Sequence, residues 1–267
     1  MSSQHHDVFH RFDAGCEALP NWIVATTRRE FFAEDLQFVA VSLPPFDTEY
    51  FEWIDVLEAV VAASECFTMV ELGAGYGRWV VNAARALEAY SGLPHQLLAV
   101  EAEPTHFKWL ELHCGDNNVQ AQLVRAAVAA RSGSVTFAVG EPRSWYGQAI
   151  VDPSWTRSPA ETVVAVTLSE LLQPLGRVDL IHCDIQGAEA EVFEEAAAAV
   201  DAKVRRVHIG THGSDIEKSL RKTFSRLGWS NVADYGCAAS SQTPWGWMCF
   251  EDGVQSWVNP RAELNTH

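Results

Sequence analysis

Three polar side chains near the ends of two predicted strands could transfer protons. His182 lies in the apolar run 178–183, Asp184 follows that run, and His212 follows the run 203–209. A histidine titrates near neutral pH, which suits a general base, and a carboxylate can orient such a base or bind a cation. We predict Asp184 as the first catalytic candidate. We prefer His212 to His182 as the base, because a residue in a loop reaches a substrate more easily.

The same region offers ligands for a metal ion. Asp184, Glu189 and His212 carry oxygen and nitrogen atoms that could bind a divalent cation such as magnesium, which would lower the pKa of an alcohol. No regular ligand spacing marks a metal site, and Glu189 could equally cap the helix that follows it. A metal-dependent reaction and a metal-free reaction are therefore both open.

A glycine-rich turn follows the first predicted strand, 67–72, and precedes a helix predicted for 76–90. A turn without Cβ atoms lets a ligand approach the backbone, and the start of the helix directs free N–H groups at that ligand. With the acid before it, the pattern is E-x-G-x-G-x-G. It resembles motif I of class I S-adenosylmethionine (SAM) methyltransferases, in which the turn lies against the methionine end of SAM. A dinucleotide site would need G-x-G-x-x-G, with its third glycine at Arg78, so an NAD-linked dehydrogenase is disfavoured.

The second predicted strand, 96–101, ends in Glu101. One carboxylate can accept hydrogen bonds from the two neighbouring hydroxyls of a ribose, and Glu103 is the second candidate for this role. An ordinary exposed acid at a strand end is the alternative. We expect the cofactor to lie along both strand ends. The predicted cofactor-binding residues are Glu71, Gly73, Ala74, Gly75, Gly77, Glu101, Ala102 and Asp184.

Strands and helices alternate along most of the chain, which indicates a mostly parallel sheet with helices on both faces. Ligands of such sheets bind beyond the carboxyl ends of the strands, where all the polar features above are expected. We predict Asp47 as the N-cap of the first helix, Thr105 as the N-cap of a later one, and a capping box at Ser214 and Glu217. Strands at 229–234 and 247–250 are expected to complete the sheet. The predicted regions are an N-terminal extension with the first helix (1–64), the main domain (65–250) and a C-terminal tail (251–267).

Charge and amino-acid composition limit the kinds of molecule that the protein is expected to bind and the compartment in which we expect it. The formal net charge is −16 and the pI is about 4.9, so an anionic nucleic acid or membrane surface would be repelled. The six cysteines form no C-x-x-C pair, the N-terminus lacks the apolar core of a signal peptide, and no apolar run reaches about 18 residues. We therefore expect a cytoplasmic protein with a small-molecule partner and no membrane span. A homo-oligomer is also considered, because apolar clusters before residue 46 could form a dimer contact as well as pack on the core.

Three runs resemble the FkbM-type methyltransferases. The run 179–189, DLIHCDIQGAE, is similar to that family's D-[VI]-x-G-x-E motif at the end of the fourth strand. The run 166–172, VTLSELL, resembles its T-L-x-x-L-L motif, and 100–104, VEAEP, resembles its second-strand E-P motif. Gln186 stands where many members carry an acid. The resemblance covers about residues 67–250 and implies a Rossmann-like class I methyltransferase fold: a mostly parallel seven-stranded sheet, here with an N-terminal helical extension.

The resemblance also implies an activity. Family members transfer the methyl group of SAM to a hydroxyl of a sugar, glycolipid, polyketide or other secondary metabolite, so a SAM-dependent O-methyltransferase is the expectation. The alternative is a non-catalytic module that binds SAM or S-adenosylhomocysteine (SAH) and acts through a partner. The loop 140–160 is rich in proline and aromatic residues. It could cover a substrate or pack as an Ω-loop.

Overall fold

The computed structural model describes residues 8–11, 18–20, 26–28, 38–41, 47–143 and 146–261. The apolar clusters noted before residue 46, and Trp145 in the loop 140–160, lie largely or wholly outside these ranges. Within them the helices are α1 (Tyr50–Ala62), α2 (Arg78–Tyr90), α3 (Pro104–Asp116), α4 (Leu168–Leu172), α5 (Glu189–Glu195), α6 (Ala197–Lys203) and α7 (Ser214–Arg226).

The strands belong to one large sheet and several small ones. The early strands are β1 (Val8–Arg11), β2 (Ala18–Pro20), β3 (Thr26–Arg28) and β4 (Phe38–Val41). The central strands are β5 (Phe67–Leu72), β6 (His95–Glu101), β7 (Gln122–Arg125), β8 (Ala127–Val128), β9 (Gly133–Ala138), β10 (Ile150–Val151), β11 (Ala160–Val166) and β12 (Val178–Cys183). The last are β13 (Val204–Thr211), β14 (Ser230–Tyr235), β15 (Ala239–Thr243), β16 (Gly246–Phe250) and β17 (Gly253–Val258).

The main sheet has seven strands in the order β14-β17-β13-β12-β5-β6-β7. The five strands from β13 to β7 run parallel, and β17 is antiparallel to both its neighbours. Every residue of β5 and β12 is buried, as expected for strands covered on both faces. This strand order confirms the predicted α/β fold of the Rossmann-like class I methyltransferase type. The region predicted as the third strand divides into β7 and β8, and β8 joins a second sheet with β9, β10 and β11.

Helices cover both faces of the sheet. Helices α4 to α7 contribute residues such as Leu168, Phe193 and Phe224 to one apolar cluster. Helices α1 to α3 contribute residues such as Val56 and Leu110 to a second cluster on the other face. The described residues before 47 form strands, and α1 is the helix of the predicted N-terminal extension. No helix in the described ranges is both long enough and apolar enough to cross a membrane.

Three predicted helix caps are wrong. The N-cap of α1 is Glu49 rather than Asp47, and the N-cap of α3 is Glu103 rather than Thr105, since the Glu103 carboxylate accepts a hydrogen bond from the backbone N–H of His106 at 2.6 Å. At α7 the N-cap is Gly213 and there is no side-chain cap. Glu217 cannot close the predicted box there, because its buried carboxylate accepts from the backbone N–H of Cys237 at 2.6 Å.

The predicted end of the sheet is also wrong. Strand β16 pairs with β15 as a separate two-stranded sheet, whereas β17 lies between β13 and β14. The segment assigned to a C-terminal tail therefore supplies an inner strand. The sequence pattern hid it because Gln255 and Ser256 are polar, yet both are buried and hydrogen-bonded to the backbone oxygen of Glu217 and to Asp55 respectively. Buried polar groups are tolerated when they have such partners.

Candidate active site

One cavity opens at the carboxyl ends of β5, β6 and β12. Because parallel neighbours end at the same edge of the sheet, the polar residues that follow these strands converge there. The cavity combines Gly73 and Gly75, Glu101 and Ala102, and Asp184, all from the predicted set. It is also lined by Val100, His106, Ala126, Ala127, Val128, Phe137, Tyr146, Gln148, Ile150, Ile185 and Gln186.

The glycine turn brings two strand ends together. Gly73 has φ of +72°, and a Cβ atom on it would lie 1.8 Å from the backbone oxygen of Asp184. That separation is far below van der Waals contact, so only glycine allows β5 and β12 to approach this closely. Gly77, the N-cap of α2, has φ of +79°, and a Cβ there would lie 2.3 Å from Cδ1 of Leu110. The turn therefore has a packing function as well as an open side toward the cavity.

Glu71 is directed into the protein. Its buried carboxylate accepts hydrogen bonds from the backbone N–H groups of Trp79 at 3.1 Å and Val80 at 2.9 Å, which lie in the first turn of α2. Burial raises the pKa of Glu71 to about 8, while these two N–H donors act in the opposite direction. Glu71, Ala74 and Gly77 are not among the described residues that line the cavity. Glu71 instead fixes α2 relative to the turn, by satisfying N–H groups that a helix start leaves free.

Glu101 lies where the predicted ribose partner should be. One carboxylate oxygen accepts from the backbone N–H of Gly75 at 2.7 Å, and the other accepts from the backbone N–H of Glu103 at 2.7 Å. Burial raises the pKa of Glu101 to about 7, against the effect of these donors. A carboxylate has about four acceptor positions, so each oxygen can accept a further hydrogen bond. Two hydroxyl donors on one ligand therefore have acceptors here.

Sequence reasoning did not single out the residues on the far side of the cavity. Tyr146 stacks on His106 with ring centroids 4.4 Å apart and planes 9° from parallel, and the His106 ring contacts the backbone oxygen of Pro142 at 2.8 Å. A Cβ on Gly75 would lie 3.4 Å from the Tyr146 ring. A ligand that approaches the glycine turn therefore meets this ring. The aromatic residues of the loop 140–160 were the only sequence feature that pointed to this side of the cavity. They did not predict which residues the loop would contact.

Asp184 and His212 meet at the end of β12 and β13. Nε2 of His212 lies 3.4 Å from Oδ1 of Asp184 and 3.7 Å from Oδ1 of Asp252, while Nδ1 lies 2.8 Å from the buried Glu189. Burial lowers the pKa of His212, but the hydrogen bond to Glu189 and the charges of the three acids outweigh it and raise the pKa to about 9. Burial also raises the pKa of Asp184 to about 6. Near neutral pH the pair is therefore an imidazolium beside a carboxylate.

His182 lies away from the cavity lining. Its ring is 3% exposed, its Nε2 lies 2.5 Å from Oε2 of Glu52 in α1, and it stacks against His208. Burial lowers the pKa of His182 against the effect of Glu52. The structure thus brings Asp184 and His212 together, and it separates both from the ring of His182 by directing that ring toward α1.

The residues predicted as magnesium ligands do not fit that ion. Asp184, Glu189 and His212 offer ligand atoms within 4.8 Å of one another. However, Glu189 is fully buried and already accepts from the backbone N–H of Gly187 at 3.0 Å and contacts His212. Magnesium prefers six oxygen ligands, whereas His212 offers only nitrogen. Because Glu189 already has hydrogen-bond partners, Asp184 is the one carboxylate of the three that is available.

Comparisons with known proteins identify the family. The profile of the Methyltransferase FkbM domain matches residues 71–234, which is more than half of the chain. A curated protein of Jannaschia sp. (strain CCS1), named "Putative methyltransferase", is 30% identical over 199 residues, covering 68% of this chain and 69% of that protein.

The chain also resembles solved structures at low sequence identity. Precorrin-6y C5,15-methyltransferase from Geobacter metallireducens GS-15 is 12% identical, with a TM-score of 0.48 over 80% of this chain and 90% of that one. Methyltransferase FkbM from Methylobacillus flagellatus KT is 13% identical, with a TM-score of 0.47 over 73% of this chain and 44% of that one. Because both TM-scores are below 0.5, neither structure adds to what the strand order already shows. By its domain match and its curated relative, the chain belongs to the FkbM family of methyltransferases.

Proposed function

We propose that this methyltransferase transfers the methyl group of SAM to a hydroxyl group of a small-molecule acceptor. The observation that carries the proposal is one cavity that joins a glycine turn, a buried carboxylate with spare acceptor positions and a second carboxylate that lies beside a histidine. These are the features that a nucleoside with an amino-acid tail and a hydroxyl acceptor would need. Family membership implies SAM as the methyl donor.

The cofactor would be held by the two strand ends. Glu101 would accept from both ribose hydroxyls, while its existing bond to Gly75 keeps the carboxylate aligned with the turn. Gly73 and Gly75 leave room for the methionine part beside the backbone. Ala102 and apolar residues later in the chain than β7, such as Ala126 and Phe137, would contact the adenine ring of SAM. Bound SAM supplies a methyl group on a positively charged sulfur, which an oxygen nucleophile can attack.

Asp184 is the proton acceptor in this proposal. In the proposed reaction the acceptor oxygen would take the methyl group of SAM, and SAH, whose sulfur would keep the electron pair of the broken carbon–sulfur bond, would be the leaving group. The hydroxyl proton passes to the carboxylate of Asp184, whose pKa near 6 leaves it ionised at neutral pH. His212 was preferred as the base on sequence grounds. A pKa near 9 instead makes it a cation at neutral pH, which would hold Asp184 and Asp252 in place.

Binding experiments test the cofactor. Calorimetric titration should detect SAM and SAH but not NAD. Glu101→Gln should weaken the binding of SAM by about 1–3 kcal/mol, which is roughly a 5- to 150-fold increase in Kd, because the ribose hydroxyls lose a charged acceptor. Glu111→Gln is the matched control, since it removes the same charge from an exposed position of α3. Equal affinity of the two variants would remove Glu101 from the site.

Turnover experiments test the reaction. SAH formation should be measured with a panel of sugars, polyketide alcohols and matched amines as acceptors, with and without magnesium. Asp184→Asn should abolish SAH formation while SAH binding stays within about tenfold of wild type. The non-catalytic alternative predicts binding without turnover on any acceptor. Turnover on amines alone would replace O-methylation by N-methylation, and a strict magnesium requirement would restore the metal route.

A further inference from the structure

A second cluster of ligand-type side chains lies below the active site, between α1 and the sheet. Glu52, His182 and His208 each offer one atom to this cluster, and the three atoms lie within 4.8 Å of one another. They come from three elements, α1, β12 and β13. His182 and His208 are direct partners in the parallel register of β12 and β13, so their side chains emerge on the same face. Neither residue lines the cavity of the proposed methyl transfer.

The histidine pair has a geometry that a bound ion could use. The two rings are parallel, with an interplanar angle of 1° and centroids 5.3 Å apart. They are 3% and 2% exposed, whereas the Glu52 side chain keeps 22% exposure and gives the cluster a side that solvent can reach. Two imidazoles and one carboxylate form a donor set that suits zinc and other first-row transition ions better than magnesium.

Asp55 supports one histidine from behind. Its carboxylate lies 2.7 Å from Nδ1 of His208 and is itself held by Arg206 and Ser256. A proton on Nδ1 leaves Nε2 of His208 with its lone pair. Histidines that bind metals commonly donate their second N–H to a carboxylate in this way, which fixes the tautomer and strengthens the ligand.

Only small movements separate the cluster from coordination. Ligands about 2.1 Å from a tetrahedral zinc ion are about 3.4 Å from one another. Nε2 of His182 and Oε2 of Glu52, now 2.5 Å apart, would separate by about 1 Å as the ion entered. Since all three atoms lie within 4.8 Å of one another, no pair would need to approach by more than about 1.5 Å. Nδ1 of His182 is buried without a hydrogen-bond partner among the described residues, so no hydrogen bond at that atom opposes a shift of the ring. The ring also contacts the rings of Trp79 and His208, with centroids 5.4 Å and 5.3 Å away. The ion would replace the contact between His182 and Glu52.

We propose that Glu52, His182 and His208 form a binding site for a divalent transition-metal ion, with Asp55 as the outer partner of His208, and that the ion ties α1 to β12 and β13. This site is separate from Asp184, Glu189 and His212. It does not depend on the proposed methyl transfer, because metal binding can be measured without SAM or an acceptor.

The test is zinc binding by the full chain after treatment with a chelator. Because the sequence contains the pair His5-His6, all measurements use a background in which both are alanine, so that this pair cannot bind zinc. Competition with a chromogenic chelator should give one zinc ion per chain. Cobalt in place of zinc should give the visible absorption of a site with nitrogen and oxygen ligands and low symmetry.

Variants locate the ion. Glu52→Gln and His182→Gln should each weaken zinc binding at least about 100-fold, and Asp55→Asn should weaken it about 10- to 100-fold. His212→Gln, in the other cluster, should change it less than about threefold. If His208→Gln fails to fold, Glu52→Gln still tests the site, because Glu52 is the most exposed of the three. Circular dichroism confirms that each variant is folded.

Three results would overturn the proposal. Folded protein that binds no zinc at 100 µM would show that the cluster is only a set of carboxylate–imidazole contacts. Binding lost in His212→Gln but kept in His182→Gln would move the ion to Asp184 and Glu189. Binding that survives in both Glu52→Gln and His182→Gln would place it elsewhere on the chain.

Discussion

Replacing Gly73 by alanine tests how the two strand ends are held together. The new Cβ would lie 1.8 Å from the backbone oxygen of Asp184 and 2.8 Å from its carbonyl carbon. Both atoms belong to the backbone of Asp184. The backbone N–H of the same residue donates a hydrogen bond to the backbone oxygen of Leu72 at 3.0 Å, so a movement of Asp184 away from the new Cβ would break this hydrogen bond. The substitution also places a non-glycine residue at φ of +72°.

The two costs can be separated. A left-handed conformation costs an alanine about 1–2 kcal/mol, and forced overpacking costs about 1–3 kcal/mol more. We therefore expect Gly73→Ala to lower the free energy of unfolding by about 2–5 kcal/mol. Gly92→Ala is the matched control: Gly92 has φ of +64°, but no heavy atom lies within 4 Å of its added Cβ. It should show the conformational cost alone.

Urea unfolding followed by tryptophan fluorescence measures both variants, and SAH titration follows the effect on the site. Gly73→Ala should lose more SAH affinity than Gly92→Ala, because Gly73 lines the cavity and its displacement changes the glycine turn against which the cofactor is proposed to lie. If the two variants lose the same stability to within about 0.5 kcal/mol, the close approach of β5 and β12 is not what requires glycine, and the reasoning fails.

Three further predictions concern protons and helix ends. If Asp184 accepts the proton, kcat/KM should rise up to about pH 6 and then level off; a rise that continues to about pH 9 would assign the base to His212. Burial raises the pKa of Glu71 to about 8 from an ordinary 4.5, so between these pH values the folded state holds a proton that the unfolded state loses. The free energy of unfolding should therefore fall by up to roughly 5 kcal/mol as the pH rises from about 4.5 to 8. Glu71→Gln should flatten this profile in urea unfolding, and parallel profiles would contradict the assignment. Thr167→Val removes the capping box of α4 and should lower the free energy of unfolding by about 1 kcal/mol, measured by thermal unfolding. Ser214→Ala should lower it by less than about 0.5 kcal/mol, because α7 has no side-chain cap. Equal losses in the two variants would refute the assignment of the caps.

The positions of Glu101 and Asp184 at one edge of the sheet could be predicted because the sequence features that mark them are local. An apolar run that ends in glycine or an acid marks the carboxyl end of a buried strand, and the parallel arrangement then brings several such ends together. Strand β5 was predicted with the observed limits, 67–72, and β6 began one residue before its predicted start. Glu101 and Asp184 therefore reach one cavity, as expected from their positions in two separate strands.

Long-range partners could not be predicted in the same way. His182 and Glu52 are 130 residues apart in the chain, and their contact decides that His182 points toward α1. The stacking of Tyr146 on His106 depends on how a proline-rich loop folds over α3. Strand β17 was missed because its polar residues are satisfied by partners from α1 and α7. In each case the deciding interaction joins segments with no common sequence pattern.

A row of acidic residues on and just before α1 holds this helix against α2, β12 and β13. The four acids recur at every third position, and each lies against a basic or imidazole side chain: Glu49 with Arg78, Glu52 with His182, Asp55 with His208 and Arg206, and Glu58 with Arg206. Residues three positions apart on a helix differ in direction by about 60°. The four acids therefore point in successively different directions, and one straight element could not contact all of them. The partners instead lie in three elements: Arg78 in α2, His182 in β12, and Arg206 and His208 in β13, the strand that pairs with β12.

These contacts do not contribute equally. An exposed pair such as the one made by Glu58, whose side chain is 56% exposed, adds at most about 1 kcal/mol. Asp55 is buried between His208, Arg206 and Ser256, and removing one partner of a buried ion pair costs about 3–5 kcal/mol. The position of α1 is therefore set by Asp55 and the adjacent Glu52. His182, which Glu52 contacts, lies near the end of β12, and Asp184 follows that strand two residues later. A change in α1 therefore reaches the proposed proton acceptor through one short segment of the chain.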